Sequence, residues 1–429
     1  MKFRKETEFQ ETEIGKIPRD WRIVRLKDVA MEIKSGFASG KRDEVDGIIH
    51  LRMFNIDLDG MLSFDEIIRV PRPKDWKQYL LRHGDILLVN TSGSEEHIGK
   101  VAIFENVELE CTYSNHLTRI RIDENKADSR WVYFVLYYLL QTGYFKSLVH
   151  QQAGGQRNIP LKAIENLSIT LPPASEARKI AEFLSMFNTT IKLYREEMTR
   201  LERLKRGLMS ELLTGRIRVK EENGRLSFYR ETELQETKIG KIPKDWKVVK
   251  LGEVVEIWDK YRIPVKENER KPGPYPYCGA NGIIDYIDGY THDGEFVLLA
   301  EDGGFFGRFE KSAYVMRGKF WANNHVHVLK AIKGIIINEF LMHYLNFTDL
   351  TPFITGSTRP KLNQEAMKKI PIALPSIIEQ MKIAEILSKV DDAIKNIDNA
   401  IARLERLKRG LMDLLLTGKV RVVDSDVGS

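Results

Sequence analysis

The chain has 429 residues, 42% of them hydrophobic and 30% charged, with a formal net charge of +6. That length exceeds what one hydrophobic core organises, so two or more domains are expected, and the composition excludes a disordered chain. No uncharged apolar run approaches the ~20 residues of a membrane span, the opening MKFRKE lacks the apolar segment of a signal peptide, and Cys111 with Cys278 are too few for a disulfide framework. The expectation is a cytoplasmic protein with reduced thiols, no membrane contact, and a charge excess compatible with a polyanionic partner.

The first element in chain order is a short arm, ETEFQETEIGKIPRDW at residues 6–21, which returns as ETELQETKIGKIPKDW at residues 231–246, displaced by 225 positions. A recurrence of this kind changes the meaning of every other signal. Next come alternating runs that read as strands, among them Gly84-Asp85-Ile86-Leu87-Leu88-Val89 with the polar turn Thr91-Ser92-Gly93-Ser94, and a run containing Asn115-His116-Leu117. The aromatic-rich stretch from Tyr133 to Leu139 reads as a helix.

After Pro173, apolar residues at Ile180, Leu184, Phe187, Ile191, Tyr194, Met198, Leu201, Leu208 and Leu212 make a four-three heptad seam that skips only Lys205. The block RLERLKRGLM inside it recurs unchanged at residues 403–412, displaced by 203 positions, so the first copy carries 22 more residues between the two blocks (225 less 203). The second copy repeats the skeleton: Gly294-Glu295-Phe296-Val297 followed by Glu301-Asp302-Gly303-Gly304, then Gly307-Arg308 against Gly99-Lys100, and Asn324-His325-Val326. Its seam is Ile383, Leu387, Val390, Ile394, Ile397, Ile401, Leu404, Leu411 and Leu415, again skipping a lysine, Lys408.

Helix ends are marked by a capping box, Ser376 with Glu379, by Pro173 in a first turn, and by Gly215 and Gly418 as C-cap residues. Each helix then runs for about 40 residues, roughly 60 Å at ~1.5 Å per residue. Gly207 and Gly410 lie inside, at a cost of ~1 kcal/mol relative to alanine that close approach of another helix would explain. The predicted fold class is α+β: two homologous mixed α/β domains separated by two long helices that form an antiparallel coiled coil. The predicted segments are residues 1–172, helix 173–215, residues 216–375, helix 376–418 and a tail at 419–429. If the repeated arm packs near the exit of the preceding helix, the first arm lies near the exit of the second, and the chain is cyclic in space with pseudo-two-fold symmetry.

This organisation resembles the DNA-specificity subunits of type I restriction-modification systems over essentially the whole chain. The residues that carry the resemblance are the arms from Ile14 to Trp21 and from Ile239 to Trp246, Gly84-Asp85-Ile86-Leu87, the tract from Tyr277 to Ile283, and the helix exits Leu212-Leu213-Thr214-Gly215 and Leu415-Leu416-Thr417-Gly418. The resemblance implies two target recognition domains, each reading one half of a split, asymmetric target in double-stranded DNA, with the helix pair as a ruler. It implies two methyltransferase subunits as partners, motor-nuclease subunits in the full complex, and S-adenosylmethionine, ATP and magnesium bound by those partners and not by this chain.

Candidate DNA contacts are polar loop residues that differ between the copies, because side chains must reach base edges while basic groups hold phosphates. In the first domain these are Ser35, Lys41, Arg42, Thr91, Ser92, Ser94, His97, Arg157 and Asn158; in the second, Tyr277, Asn281, Asp302, Thr358, Arg359 and Lys361. Lys100 and Arg308, each after a glycine, are candidate phosphate contacts common to both. Asn115-His116 and Asn324-His325 are shared, which favours a structural hydrogen bond, and His325 with His327 lacks an evident third metal ligand. No glycine-rich cofactor loop, Walker-type loop or Asn-Pro-Pro-aromatic signature occurs, so no catalytic residue is assigned, and Pro18-Arg19-Asp20-Trp21 reads as a structural turn rather than a nuclease motif. The alternatives are an architectural coiled-coil adaptor, which leaves the divergence of the two heads unexplained, and the recognition part of a fused restriction-modification enzyme.

Overall fold

A computed structural model describes residues 2–40, 44–105, 108–151, 155–222, 224–356 and 360–423. It divides into two compact units, residues 1–194 with 400–429, and residues 195–399. The division falls inside each of the two long helices, Ala174–Leu212 and Ile377–Leu416. Each unit therefore holds one head, half of its own helix and half of the other.

In unit 1 an antiparallel sheet has the order Val101–Phe104, Asp85–Val89, Leu117–Ile122, Ala30–Ser35. One face packs on the helix Ser129–Gln141, whose N-terminus Asp128 caps by accepting from the Trp131 amide at 3.0 Å. Unit 2 has the same skeleton in Ala313–Ala322, His292–Ala300, Val326–Ala331 and Val255–Ile257, extended by the hairpin Pro272–Gly279 and Gly282–Ile287. Its helix is Asn338–Phe347.

Strand pairing corrects the alignment of the two copies by one residue. Leu117 faces Val89 and Val326 faces Ala300, so Val89 corresponds to Ala300 and not to Leu299. The cores agree: Ile86 and Leu88 pack on the helix side in unit 1, as do Val297 and Leu299 in unit 2, while Leu87 and Leu298 face the opposite cores. A slip of one residue would turn every one of these side chains to the wrong face. Asn90 thus corresponds to Glu301, and Thr91 to Asp302.

Most of the heptad seam packs as predicted inside each unit, while Tyr194 of the predicted seam is exposed. Ile180 and Leu184, near the start of the first long helix, share a core with Leu411, Met412 and Leu415 near the end of the second. In unit 2, Leu208, Met209 and Leu212 share a core with Ile383 and Leu387, again an antiparallel pairing. Ile191 and Ile401 are buried, and Phe187, Met198, Leu201, Val390, Ile394 and Leu404 are half-buried.

The two skipped lysines are seam positions with a head helix beside them. Lys408 is buried, its ammonium 4.4 Å from the Tyr137 ring centroid, and Lys205 pairs with Asp391 at 2.5 Å. Only half of the predicted capping box forms. Ser376 accepts from the Glu379 amide at 3.3 Å, while the Glu379 carboxylate is committed to Arg218.

That arginine centres a clasp that occurs once in each unit. Arg218 makes a two-pronged bond to Glu379 at 2.6 and 2.8 Å and another to Asp245 at 3.0 and 2.9 Å, and also donates to Glu231 at 2.7 Å. Arg421 repeats this with Glu176 at 2.8 and 2.7 Å, Asp20 at 2.9 and 2.7 Å, and Glu6 at 2.6 Å. Trp246 donates its indole N–H to Glu379 at 3.1 Å, and Trp21 donates its own to Glu176 at 3.3 Å. Asp20 and Trp21 are therefore structural, as the duplicated turn predicts.

Lys2–Lys5 pairs with Val420–Val423 in the register that Arg225–Arg230 keeps with Ile217–Glu222, where one hairpin joins them. The first and last strands of the described chain are thus neighbours. The helix exits are alike too: Gly215 and Gly418 adopt φ of +68° and +71°, and an added Cβ would meet Pro243 or Pro18 at 2.4 Å.

Candidate nucleic-acid interface

In each unit the loops at one end of the four-strand skeleton converge. In unit 1 the hub is Asn90, which follows the strand Asp85–Val89 and is nearly buried. Its amide nitrogen donates to Ser35 Oγ at 3.3 Å, to the Asn115 carbonyl at 3.2 Å and to Thr118 Oγ1 at 2.9 Å. Thr91 Oγ1 lies 2.8 Å from Asn90 Oδ1 and 2.9 Å from Asn158 Oδ1. Backbone pairing of Thr91–Ser92 with Arg157–Asn158 places these loops side by side, and Arg157 donates to the Gly93 carbonyl at 3.0 Å. Ser92 is buried and accepts from the Ser94 amide at 3.0 Å. Ser35, Thr91, Ser92, Ser94, Arg157 and Asn158 are thus brought together, with Ser92 itself buried. Asn90 was missed because a lone asparagine at a strand end carries no spacing signal.

Two further candidates of unit 1 are buried or half-buried. Lys100 is buried at 4% exposure and donates to the carbonyls of Met53, at 2.8 Å, and Ile56; burial pulls its ammonium below its ordinary pKa. It secures a loop instead of meeting a phosphate. His97 is half-buried, with its Nδ1 buried and without a hydrogen bond. Lys41 and Arg42, like Thr358 and Arg359 of the second domain, lie outside the described residues.

Unit 2 uses the same backbone positions with charged side chains. Glu301, at the place of Asn90, receives Lys361 at 2.5 Å and the Arg262 guanidinium. Burial alone would raise the Glu301 pKa, but the Lys361 and Arg262 bonds hold it below the ordinary value. Asp302 bridges Lys361 through the backbone, as Thr91 does Asn158, and its carboxylate is bonded by His325 Nδ1. Asn281, at the tip of the extra hairpin, donates to the Gly303 carbonyl at 3.1 Å. These loops, with Ile283, Ile284, Asn323 and Pro360, enclose a cleft of about 550 Å³.

Tyr277 is 2% exposed, its hydroxyl bonded to the Val265 amide at 3.0 Å and its ring 4.5 Å from the Arg270 guanidinium, so it packs the hairpin and does not face the cleft. Arg308 is exposed and stacks on Phe347 at 4.5 Å, so it does not share the role of its sequence counterpart Lys100. His325 and His327 serve different groups. His327 is buried between Asp259, at 2.6 Å from Nδ1, and the Leu362 carbonyl, at 2.7 Å from Nε2. Asp259, Glu301 and His327 have ligand atoms within 4.8 Å of one another, and the Arg262 guanidinium already bridges the two carboxylates.

Residues 18–203 and 243–406 match the family model described as the type I restriction modification DNA specificity domain. The chain is 28% identical over 450 residues to the putative type I restriction enzyme MjaX specificity subunit of Methanocaldococcus jannaschii, covering 98% of this chain and 99% of that one. It is 46% identical over 143 residues to the putative specificity subunit S.HindORF215P of Haemophilus influenzae, covering 33% and 36% of the two chains. The fold resembles the crystal structure of a type I restriction-modification S subunit from M. genitalium, with a TM-score of 0.62 at 14% identity over 92% of this chain and 96% of that one.

Proposed function

Because the chain belongs to the family of type I restriction-modification DNA specificity subunits, and is a non-catalytic member of such a system, we propose that each unit reads one half of a bipartite, asymmetric duplex target and that the chain holds two methyltransferase subunits. The observation that carries the reading is the contrast between what the units share and where they differ. Arms, clasps and helix exits are duplicated nearly atom for atom, while the convergent loops keep their backbone pairing and change their chemistry. Neutral side chains at Asn90, Thr91 and Asn158 stand where Glu301, Asp302 and Lys361 stand in the other unit. A change of chemistry on a shared polar surface is what reading two different sequences requires.

The scaffolding half of the proposal is supported by the identical block in the two helices. Leu204 and Leu407 are 50% and 49% exposed, and an added Cβ at Gly207 or Gly410 would meet nothing within 4 Å. Close packing within this chain is therefore not why those glycines are there. Two copies of one surface, each a leucine beside a bare glycine, suit two copies of one partner. S-adenosylmethionine, ATP and magnesium belong in this reading to the methyltransferase and motor-nuclease subunits, and the assembly works in the cytoplasm. Native mass measurement tests it: two methyltransferase subunits per wild-type chain, one for Leu407→Glu and none for Leu204→Glu with Leu407→Glu. Unaltered loading of the double variant would refute this docking surface.

A further inference from the structure

We propose that the cleft of unit 2 reads one A·T base pair of the second half-target, with His325 accepting a hydrogen bond from the adenine N6 amine and Ile283 with Ile284 packing on the thymine methyl. The inference rests on the reading above that each unit recognises half of a DNA target, and adds the base chemistry of one position.

Three observations lead to it. His325 is bonded through Nδ1 to Asp302, a carboxylate only 8% exposed, while the imidazole itself is 40% exposed and lines the cleft. A carboxylate only accepts, so in the neutral imidazole the pair places the ring proton on Nδ1 and leaves the Nε2 lone pair as an acceptor. No hydrogen bond engages Nε2 among the described residues. Second, the same cleft is lined by exposed apolar side chains: Ile283 and Ile284, at the start of the strand Gly282–Ile287, are 47% and 55% exposed. Surface isoleucines beside a hydrophilic loop cluster need an apolar occupant to be useful, and thymine alone among the bases offers a methyl in the major groove. Third, this arrangement belongs to one unit only. His116 occupies the equivalent backbone place in unit 1, but Thr91 stands where Asp302 stands, and Thr91 Oγ1 is bonded to Asn90 and Asn158. The shared histidine is oriented by a carboxylate in one unit and not in the other.

An acceptor and an apolar surface lining one cleft of about 550 Å³ match the adenine amine and the thymine methyl, which both lie on the major-groove edge of an A·T pair with the thymine O4 between them. A G·C pair offers no methyl there. The buried Asp302 would also oppose the acceptor-rich guanine edge through its charge.

The test uses the full chain with its methyltransferase partner and selects bound duplexes from a library randomised through both half-targets. Wild-type protein is expected to require A·T at one position of the second half-target. His325→Ala should relax that position alone by about tenfold, leaving the first half-target intact as an internal folding control. Wild-type protein should also lose several-fold in affinity when uracil replaces the thymine there, a measurement that needs no variant, and Ile283→Ser with Ile284→Ser should abolish the difference between the two bases. If His325→Ala relaxes a G·C position, or leaves every position unchanged, or uracil binds as well as thymine, the inference is wrong while bipartite reading stands. If wild-type protein selects no second half-target at all, the reading on which the inference rests falls with it.

Discussion

Arg421 joins three parts of the sequence through one planar cation: the arm at Glu6 and Asp20, the helix start at Glu176 and the last described strand. Its side chain and those of Glu6 and Glu176 are 10%, 6% and 6% exposed. Breaking such a pair leaves uncompensated charge behind, which costs far more than the pair nets in place. Arg421→Met should therefore destabilise unit 1 by about 3–5 kcal/mol, read as an early phase in thermal unfolding, and the corresponding Arg218→Met should act on unit 2. A Met variant as stable as wild type would show that the clasp is incidental. Burial would raise the Glu6 pKa, yet the Glu8 and Thr7 amides and the Arg421 guanidinium hold it below the ordinary 4.5. The duplicated Asp-Trp turns were legible as structural from their recurrence, but their arginine was not. Arg218 and Arg421 sit in strands with no spacing relation to the arm, and only the folded chain brings them to it.

Recurrence in the sequence reveals the two heads and two helices because amphipathic periodicity is local: each seam residue is three or four positions from the next. Strand equivalence is not local in that way. The alternatives Gly84 with Gly294 and Gly84 with Glu295 differ by one residue, and two apolar runs align either way when both sheet faces are buried, as they are for Asp85–Val89. Only the partners of Leu117 and Val326 decide it. The same limit hid what stands at the skipped lysines, since the head helices that meet them come from distant sequence.

In unit 2 that head helix brings His343, fully buried, against the second long helix, with Nε2 3.2 Å from Ser388 Oγ and Nδ1 3.8 Å from Asp391, which Lys205 also engages. Burial lowers its pKa from 6.5 to about 4, outweighing the pull of Asp391. The unfolded chain therefore takes up a proton that the folded helix interface refuses. The contribution of this site is complete above pH 6.5 and is lost as the pH falls from 6.5 towards 4, by up to about 3 kcal/mol. His343→Leu should flatten that part of the unfolding profile of unit 2. An unaltered acid slope would mean that the imidazole is not held neutral.

At the scale of the molecule, the two units share a backbone skeleton and differ in their added strands and in the chemistry of the convergent polar loops. Strand pairing between Lys2–Lys5 and Val420–Val423 completes in unit 1 what a continuous hairpin completes in unit 2, so unit 1 is assembled from two segments while unit 2 is the contiguous stretch 195–399. The heads, recognisable as residues 22–172 and 247–375, carry the differences, while the arms, clasps and helix exits are repeated. The central claim, that each unit reads its own half of a split target, is tested most directly by selecting bound duplexes from a randomised library with the chain and its methyltransferase partner, before and after exchanging residues 22–172 for the head of another family member. The account predicts two short, unlike blocks separated by an unread spacer, with the exchange changing one block and leaving the other and the spacer as they were. A single uninterrupted block, or a change in both blocks after the exchange, would contradict it.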